Sequence, residues 1–300
     1  MPSADRNLMA ALLILGYAVI IGFTDNFVRV IAAEAGLWQF HATRSGLALL
    51  LLLAVAWPLR LRLKVKNPRA VLARSAIHGL AMVIYFGALA FLPVAMVAAG
   101  LFTAPIFVLL IQTLGMGQPL RSVQVLAVAL GFVGVVMVLG PQALQGASLA
   151  ALLPVVAGAM YALGNVATRT WCADESAEVL LAGFFGALGV IGLIGMAVLA
   201  LLPLEVPAGT DGFVQRGAVW PSAVFWGLAV LQAAGSLLGV GLMIRAYQIT
   251  AAARASVFEY AILPTSALWG WLIWGEVLGP MALLGMALIA GAGMLLALRD

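Results

Sequence analysis

Ten apolar runs, most of them close to the roughly 20 residues that a helix needs to cross a bilayer, constrain this chain more than any other feature. Inside hydrocarbon every backbone N–H and C=O must be paired within the protein, so runs of this length are helices. They lie at 8–32, 38–57, 70–91, 94–115, 122–139, 148–170, 178–202, 222–247, 251–274 and 279–298, separated by short polar or Gly/Pro punctuation. Composition agrees: 65% of residues are hydrophobic and 9% charged, against roughly 45–50% and about 25% in soluble domains. No polar shell can be built from so few charges. The expected fold class is an all-α membrane protein with ten transmembrane helices and no soluble domain. Disorder, collagen and a disulfide scaffold are excluded, and the lone Cys172 can neither form an internal disulfide nor build a metal cluster.

The first run is too long for a signal peptide and carries Asp25, Asn26 and Arg29 where a cleavage site would fall, so it reads as a retained helix. Pro93 separates the third and fourth runs; Gly275-Glu276 and Gly279-Pro280 separate the ninth and tenth. Gly183, Gly186, Gly189, Gly192 and Gly195 in the seventh run read as a packing face. With a cytoplasmic N-terminus, twelve of the fifteen Lys and Arg fall on cytoplasmic tails, loops or helix ends: Arg6, Arg60, Arg62, Lys64, Lys66, Arg69, Arg74, Arg121, Arg169, Arg245, Arg254 and Arg299. Arg216 alone is external, while Arg29 and Arg44 lie within helices. Both termini are thus expected inside. The basic stretch from Arg60 to Arg69 sits against anionic lipid and is no nucleic-acid patch. Trp38, Trp57, Trp171, Trp220 and Trp274 fall at helix ends, whereas Trp226, Trp269 and Trp271 lie deeper and are expected to face protein or a cavity.

Internal similarity suggests a duplication. Residues 88–95 (ALAFLPVA) precede 246–253 (AYQITAAA) by 158 positions, and the same offset pairs Gly117-Gln118 with Gly275-Glu276. Pro105 and Pro264 match with a one-residue slip, and Asn26 and Asn165 occupy similar settings, GFTDNFV and YALGNVA. Five helices per half would make the two units insert with opposite orientation. These anchors, with Phe258-Glu259-Tyr260 running to Trp271-Leu272-Ile273-Trp274-Gly275-Glu276, resemble the EamA-type transporters of the drug/metabolite transporter superfamily. Ile21-Gly22 stands where that family often has Trp-Gly, and Gln118 where Glu is common. The resemblance implies two inverted five-helix repeats, residues 1–140 and 148–300, in a bacterial inner membrane. It also implies export of amino acids, aromatic or broad-range, or related small metabolites.

Ionisable groups in a bilayer suggest function by default. Asp25 and Arg29, spaced i, i+4, can neutralise each other on the first helix, either as a structural pair or in gating. Arg44 could pair with Glu34 or Glu276 as a latch between the halves. Glu259, five residues before Pro264, suits proton coupling, or forms a salt bridge to Arg254 or Arg245. Pro105 and Pro264 are the expected bending points. Three polar stripes share helix faces: His78, Met82 and Tyr85; Tyr161, Asn165 and Thr168; Gln232, Ser236 and Gly239. Each alone reads as interhelical hydrogen bonding; together they point into one wet cavity that could bind substrate, with Asn26 and Tyr260 as further walls.

No hydrolase, metalloprotease or nucleotide-binding motif occurs. Secondary transport by alternating access, without cofactor or metal, is therefore the leading expectation. Its partners are a small-molecule substrate and membrane lipid, and a monomer is the expected state. Efflux of drugs or lipophilic cations is the alternative, and an enzyme acting on lipid-linked substrates the remote one. The topology is testable. A fluorescent protein fused after Asp300 should mature in the cytoplasm, and alkaline phosphatase inserted near Asp211 should be active; the reverse pattern inverts the reading.

Overall fold

The computed structural model describes residues 3–61, 63–92, 94–140, 149–277 and 279–299. Pro93 and Arg62, and the first residue of the 148–170 run, lie outside these. Every regular element among the described residues is helical. Eight stretches are long and apolar enough to cross a membrane: Arg6–Glu34, Leu37–Ala56, Pro68–Ala88, Val94–Gly115, Ser122–Leu139, Leu149–Thr170, Ala177–Leu201 and Ala223–Ile249. The last two expected spans are not among these eight. Residues 252–274 are broken in the middle, and Pro280–Leu296 is a shorter apolar helix.

In chain order the helices are α1 (Ser3–Asp25), α2 (Val28–Glu34), α3 (Leu37–Ala56), α4 (Pro68–Ala88), α5 (Val94–Leu101), α6 (Ala104–Leu110) and α7 (Ser122–Leu139). They continue as α8 (Leu152–Thr170), α9 (Ala177–Leu201), α10 (Ala223–Ile249), α11 (Ala252–Phe258), α12 (Ile262–Trp274) and α13 (Pro280–Arg299). Their ends follow local chemistry. Asn67, Ser176 and Ser222 accept from the backbone N–H three residues on and cap α4, α9 and α10, with Pro68 in the first turn of α4. Gly275 closes α12 in the left-handed conformation that a glycine reaches without strain.

Both proline-bearing stretches break just before the proline. Pro105 cannot donate to the carbonyl four residues back, and α5 ends at Leu101 before α6 resumes at Ala104. Pro264 does the same to the ninth stretch, where a 3-10 turn, Glu259–Ala261, separates α11 from α12. The first run is broken as well: Asn26 turns its side chain back onto Gly22 O at 2.6 Å, and α1 gives way to α2.

The main helix contacts are α1 with α10 and α12, α4 with α8 and α9, α3 with α9 and α10, α5 with α8, and α7 with α13. Where backbones meet, glycine is required. A Cβ on Gly134 of α7 would lie 2.7 Å from Gly285 O of α13, and one on Gly285 would lie 2.6 Å from Gly134 O. On α9, Gly192 packs against the backbone of Ala42 and Trp38 and Gly195 against the Trp38 ring, while Gly186 faces open space. The packing face read from the α9 glycines thus holds for some of them only.

Large apolar side chains such as Leu50, Leu53, Leu193, Ile194 and Leu238 stand exposed on the outside. Trp226 and Trp271 join them, which corrects the expectation that these two face protein. Arg74, expected on a cytoplasmic loop or helix end, is fully buried, donating to Thr168 Oγ1 at 2.9 Å and Leu180 O at 3.2 Å. Cys172, in the turn after α8, is buried, which holds its thiol above the ordinary value and makes it an inert packing group. Replacing Gly134 by Leu forces α7 and α13 apart. Thermal unfolding in detergent should show a loss of about 1–3 kcal/mol, whereas Gly186→Leu should be near neutral.

Candidate functional site

The breaks at Phe102–Thr103 and Glu259–Ala261 face a cavity of about 100 Å³ inside the bundle. The first half lines it with Tyr17, Asp25, Arg44, Met82, Tyr85, Phe86, Phe102 and Pro105. Tyr161, Phe184, Ser236, Ser256 and Glu259 line it from the second half. A space of this size has room for water beside the polar groups on its wall.

At one end Glu259, 5% exposed, is a hydrogen-bond hub. Tyr161 donates to its Oε2 at 2.7 Å, Asn165 Nδ2 to its Oε1 at 3.3 Å, and the Tyr247 hydroxyl to Oε1 as well. Tyr17 reaches the Tyr161 oxygen at 3.3 Å, and His78 Nε2 lies 3.0 Å from Asn165 Oδ1. The cluster therefore ties α1, α4, α8 and α10 to the 3-10 turn before Pro264. A carboxylate with three donors has its lone pairs met without a cation, and neither Arg254 nor Arg245 makes the expected salt bridge. Arg254 donates instead to Asn7 and Thr250, and Arg245 reaches only Gln248, at 3.5 Å.

Asp25 lies eight residues beyond Tyr17 on α1, about 12 Å at 1.5 Å per residue, and marks the other end. Its expected partner Arg29 turns away, bonding Glu276 at 3.1 Å and stacking 4.1 Å over the Trp274 ring. The i, i+4 pairing on α1 is thus corrected: the helix ends at Asp25, and the turn at Asn26 and Phe27 carries Arg29 to another face. Asp25 instead faces Gln232 and the charge of Arg44. Arg44 in turn reaches neither Glu34, which holds Ser222 across from α2, nor Glu276. The latch expected of Arg44 is formed by Arg29 with Glu276.

The other expected residues divide. Met82, Tyr85, Tyr161 and Ser236 line the cavity; His78 and Asn165 lie behind it in the Glu259 cluster. Gln232 donates to Thr24 O at 2.7 Å, and Asn26 joins Gly22 O and Ser266 O, where α1 meets α12. Tyr260 is fully buried over Gly131. Pro105 touches the cavity, whereas Pro264 shapes it from behind through the 3-10 turn. Sequence reasoning left Tyr17, Tyr247 and Arg44 out of the site. A signal for the first two was present: the chain has five tyrosines, and a phenol hydroxyl inside an apolar bundle needs a partner.

An all-helical bundle, apolar outside and with polar side chains facing an internal cavity, defines a multi-pass membrane protein. Residues 8–140 match the model of the EamA-like transporter family. The resemblance to EamA-type transporters of the drug/metabolite transporter superfamily is borne out by relatives that align over most of the chain. The pseudopaline exporter CntI of Pseudomonas aeruginosa is 25% identical over 92% of this chain and 92% of its own. A riboflavin transporter of Rhizobium johnstonii is 27% identical over 88% of this chain and 80% of its own. One solved crystal structure superposes on 99% of each chain with a TM-score of 0.76 at 19% identity, which shows the fold. Transport of a small molecule is the activity these likenesses support.

The two kinds of polar contact should respond differently to mutation. Asn165→Leu removes a donor from buried Glu259 and the partner of His78, and should cost about 1–3 kcal/mol in thermal unfolding. Arg29→Ala removes a pair whose side chains are 51% and 52% exposed, and should cost at most about 1 kcal/mol. Equal losses would contradict the assignment of the Glu259 cluster as the stronger tie.

Proposed function

We propose that the chain is a secondary transporter of the bacterial inner membrane that exports amino acids or related small metabolites by alternating access. The observation that carries this is the cavity where two proline-broken helices meet, lined by polar and aromatic side chains from both halves. Residues 1–140 and 148–300 are two inverted five-helix repeats in this reading, with ten crossings and both termini cytoplasmic. The contact pattern supports it. Exchanging the halves maps α1 with α10 onto α8 with α4, α3 with α10 onto α9 with α4, and α6 with α8 onto α12 with α1. The contacts α3 with α9 and α7 with α13 map onto themselves. Rocking of one repeat against the other about the broken helices opens the site to each side in turn.

Met82, Tyr85, Tyr161 and Ser236 contact the substrate, and Glu259 carries the coupling proton. His78 and Asn165 hold Glu259 in place. Export of a lipophilic cation would want an unpaired acid in an aromatic cage; Glu259 is taken by its donors, and Asp25 shares the cavity with the cation Arg44. An enzyme on lipid-linked substrates would need its polar groups at one interface, whereas here they surround an internal cavity.

Proteoliposome counterflow tests the reading. Labelled amino acids should exchange with saturation, and flux should rise with an imposed pH gradient. Glu259→Gln should keep exchange but lose the response to the gradient. Folded protein that moves no amino acid in a broad panel removes the substrate class; an unchanged gradient response in Glu259→Gln removes the coupling role.

A further inference from the structure

We propose that Arg44 and Asp25 form a zwitterion subsite, in which Arg44 binds the carboxylate of the substrate and Asp25 its ammonium group. The proposal deepens the amino-acid export reading and rests on it for the substrate class. It starts from an unmet need. Arg44 is 4% exposed and lines the cavity, yet its Nε has no hydrogen-bond partner. Its Nη2 makes a single contact, to His41 Nδ1 at 3.5 Å, the outer limit of a hydrogen bond. A guanidinium offers five donors in a rigid fork that matches a carboxylate. Here the fork is held in place by aromatic faces, with Phe40 4.9 Å and Phe86 5.5 Å from the guanidinium carbon.

Asp25 balances the charge without closing the gap. The two attract each other, but among the described residues the one ion pair within 4.0 Å is Arg29 with Glu276. Opposite charges that line one cavity and do not touch are each short of a partner, which is costly away from water. A zwitterion satisfies both and leaves the net charge of the site unchanged. Tyr85 and Ser236 offer hydroxyls on the same wall, and Met82, Phe86 and Phe184 present an apolar surface to a side chain. No other acid in this region is available to Arg44, since Glu34 binds Ser222 and Glu276 binds Arg29.

Thermal stabilisation of the detergent-purified full chain tests this with three probes: L-phenylalanine, phenethylamine, which lacks the carboxylate, and 3-phenylpropanoate, which lacks the ammonium. Wild type should bind phenylalanine roughly tenfold or more tighter than either half-ligand, as one charge-assisted hydrogen bond requires. Arg44→Gln should erase the preference over phenethylamine, and Asp25→Asn the preference over 3-phenylpropanoate. Should Arg44→Gln not fold, Arg44→Lys keeps the charge without the fork and should reduce the same ratio. If wild type binds amino acids and the ratios survive these substitutions, the subsite is wrong while amino-acid export stands. If no amino acid binds but dipeptides, which carry the same two charged groups, bind and lose affinity in Arg44→Gln, the subsite stands and the amino-acid reading falls. If no zwitterion binds, both fall.

Discussion

A polar group inside an apolar bundle must find its partner within the protein, and the architecture follows from how that demand is met. Glu259 is the sharpest instance. Three donors from α8 and α10 converge on one carboxyl, and they can do so because the chain is not regular α-helix there. Pro264 denies Tyr260 O its usual partner, the helix tightens into a 3-10 turn, and Glu259 is presented at the turn. Pro105 breaks the corresponding stretch of the first half against the same cavity. The site is thus a by-product of two helix defects, stabilised by the side chains that repair them.

The two ends of the cavity differ in how far the repair has gone. Around Glu259 three donors meet the carboxyl, and His78 Nδ1 and the Tyr260 hydroxyl are the buried atoms nearby without a partner. Around Arg44 the repair is unfinished, with Arg44 Nε, His41 Nε2 and Gln232 Oε1 all buried and unpartnered. Native interiors seldom leave such groups unmet. A position where several occur together is one where the protein's own atoms do not complete the structure.

Much of this was legible from sequence because lipid imposes a coarse code. Apolar run length and proline position located the helices and both breaks within a few residues, and the polar stripes named Met82, Tyr85, Tyr161 and Ser236 on the cavity wall. What escaped is what depends on rotation about a helix axis. The i, i+4 spacing of Asp25 and Arg29 predicts a pair only if the helix runs through both, and the turn at Asn26 places them on different faces. Arg44 lies on a helix whose other polar residues, Gln39, His41, Thr43 and Ser45, fall on several faces, so no periodicity marked the direction of its side chain. Arg74 looked like a cytoplasmic anchor because charge counts register depth and not orientation.

The end of the bundle that carries the connection between α9 and α10 is fastened unevenly. On one side that connection is bound to the α2–α3 corner by Leu37 N to Phe213 O at 2.7 Å, by a two-way link between Gln39 and Val219, and by Trp38 Nε1 to Val214 O. Arg216 adds bonds to the carbonyls of Ala32, Ala35 and Gly209. On the other side, next to α12, the half-exposed ion pair of Arg29 with Glu276 is backed by Asn26 Nδ2 to Ser266 O at 3.2 Å and Trp269 Nε1 to Val19 O at 3.1 Å. The α9–α10 connection thus anchors one flank of the rim through a loop, and α12 anchors the other through a helix, so substitutions at Arg29 or Glu276 loosen only the second.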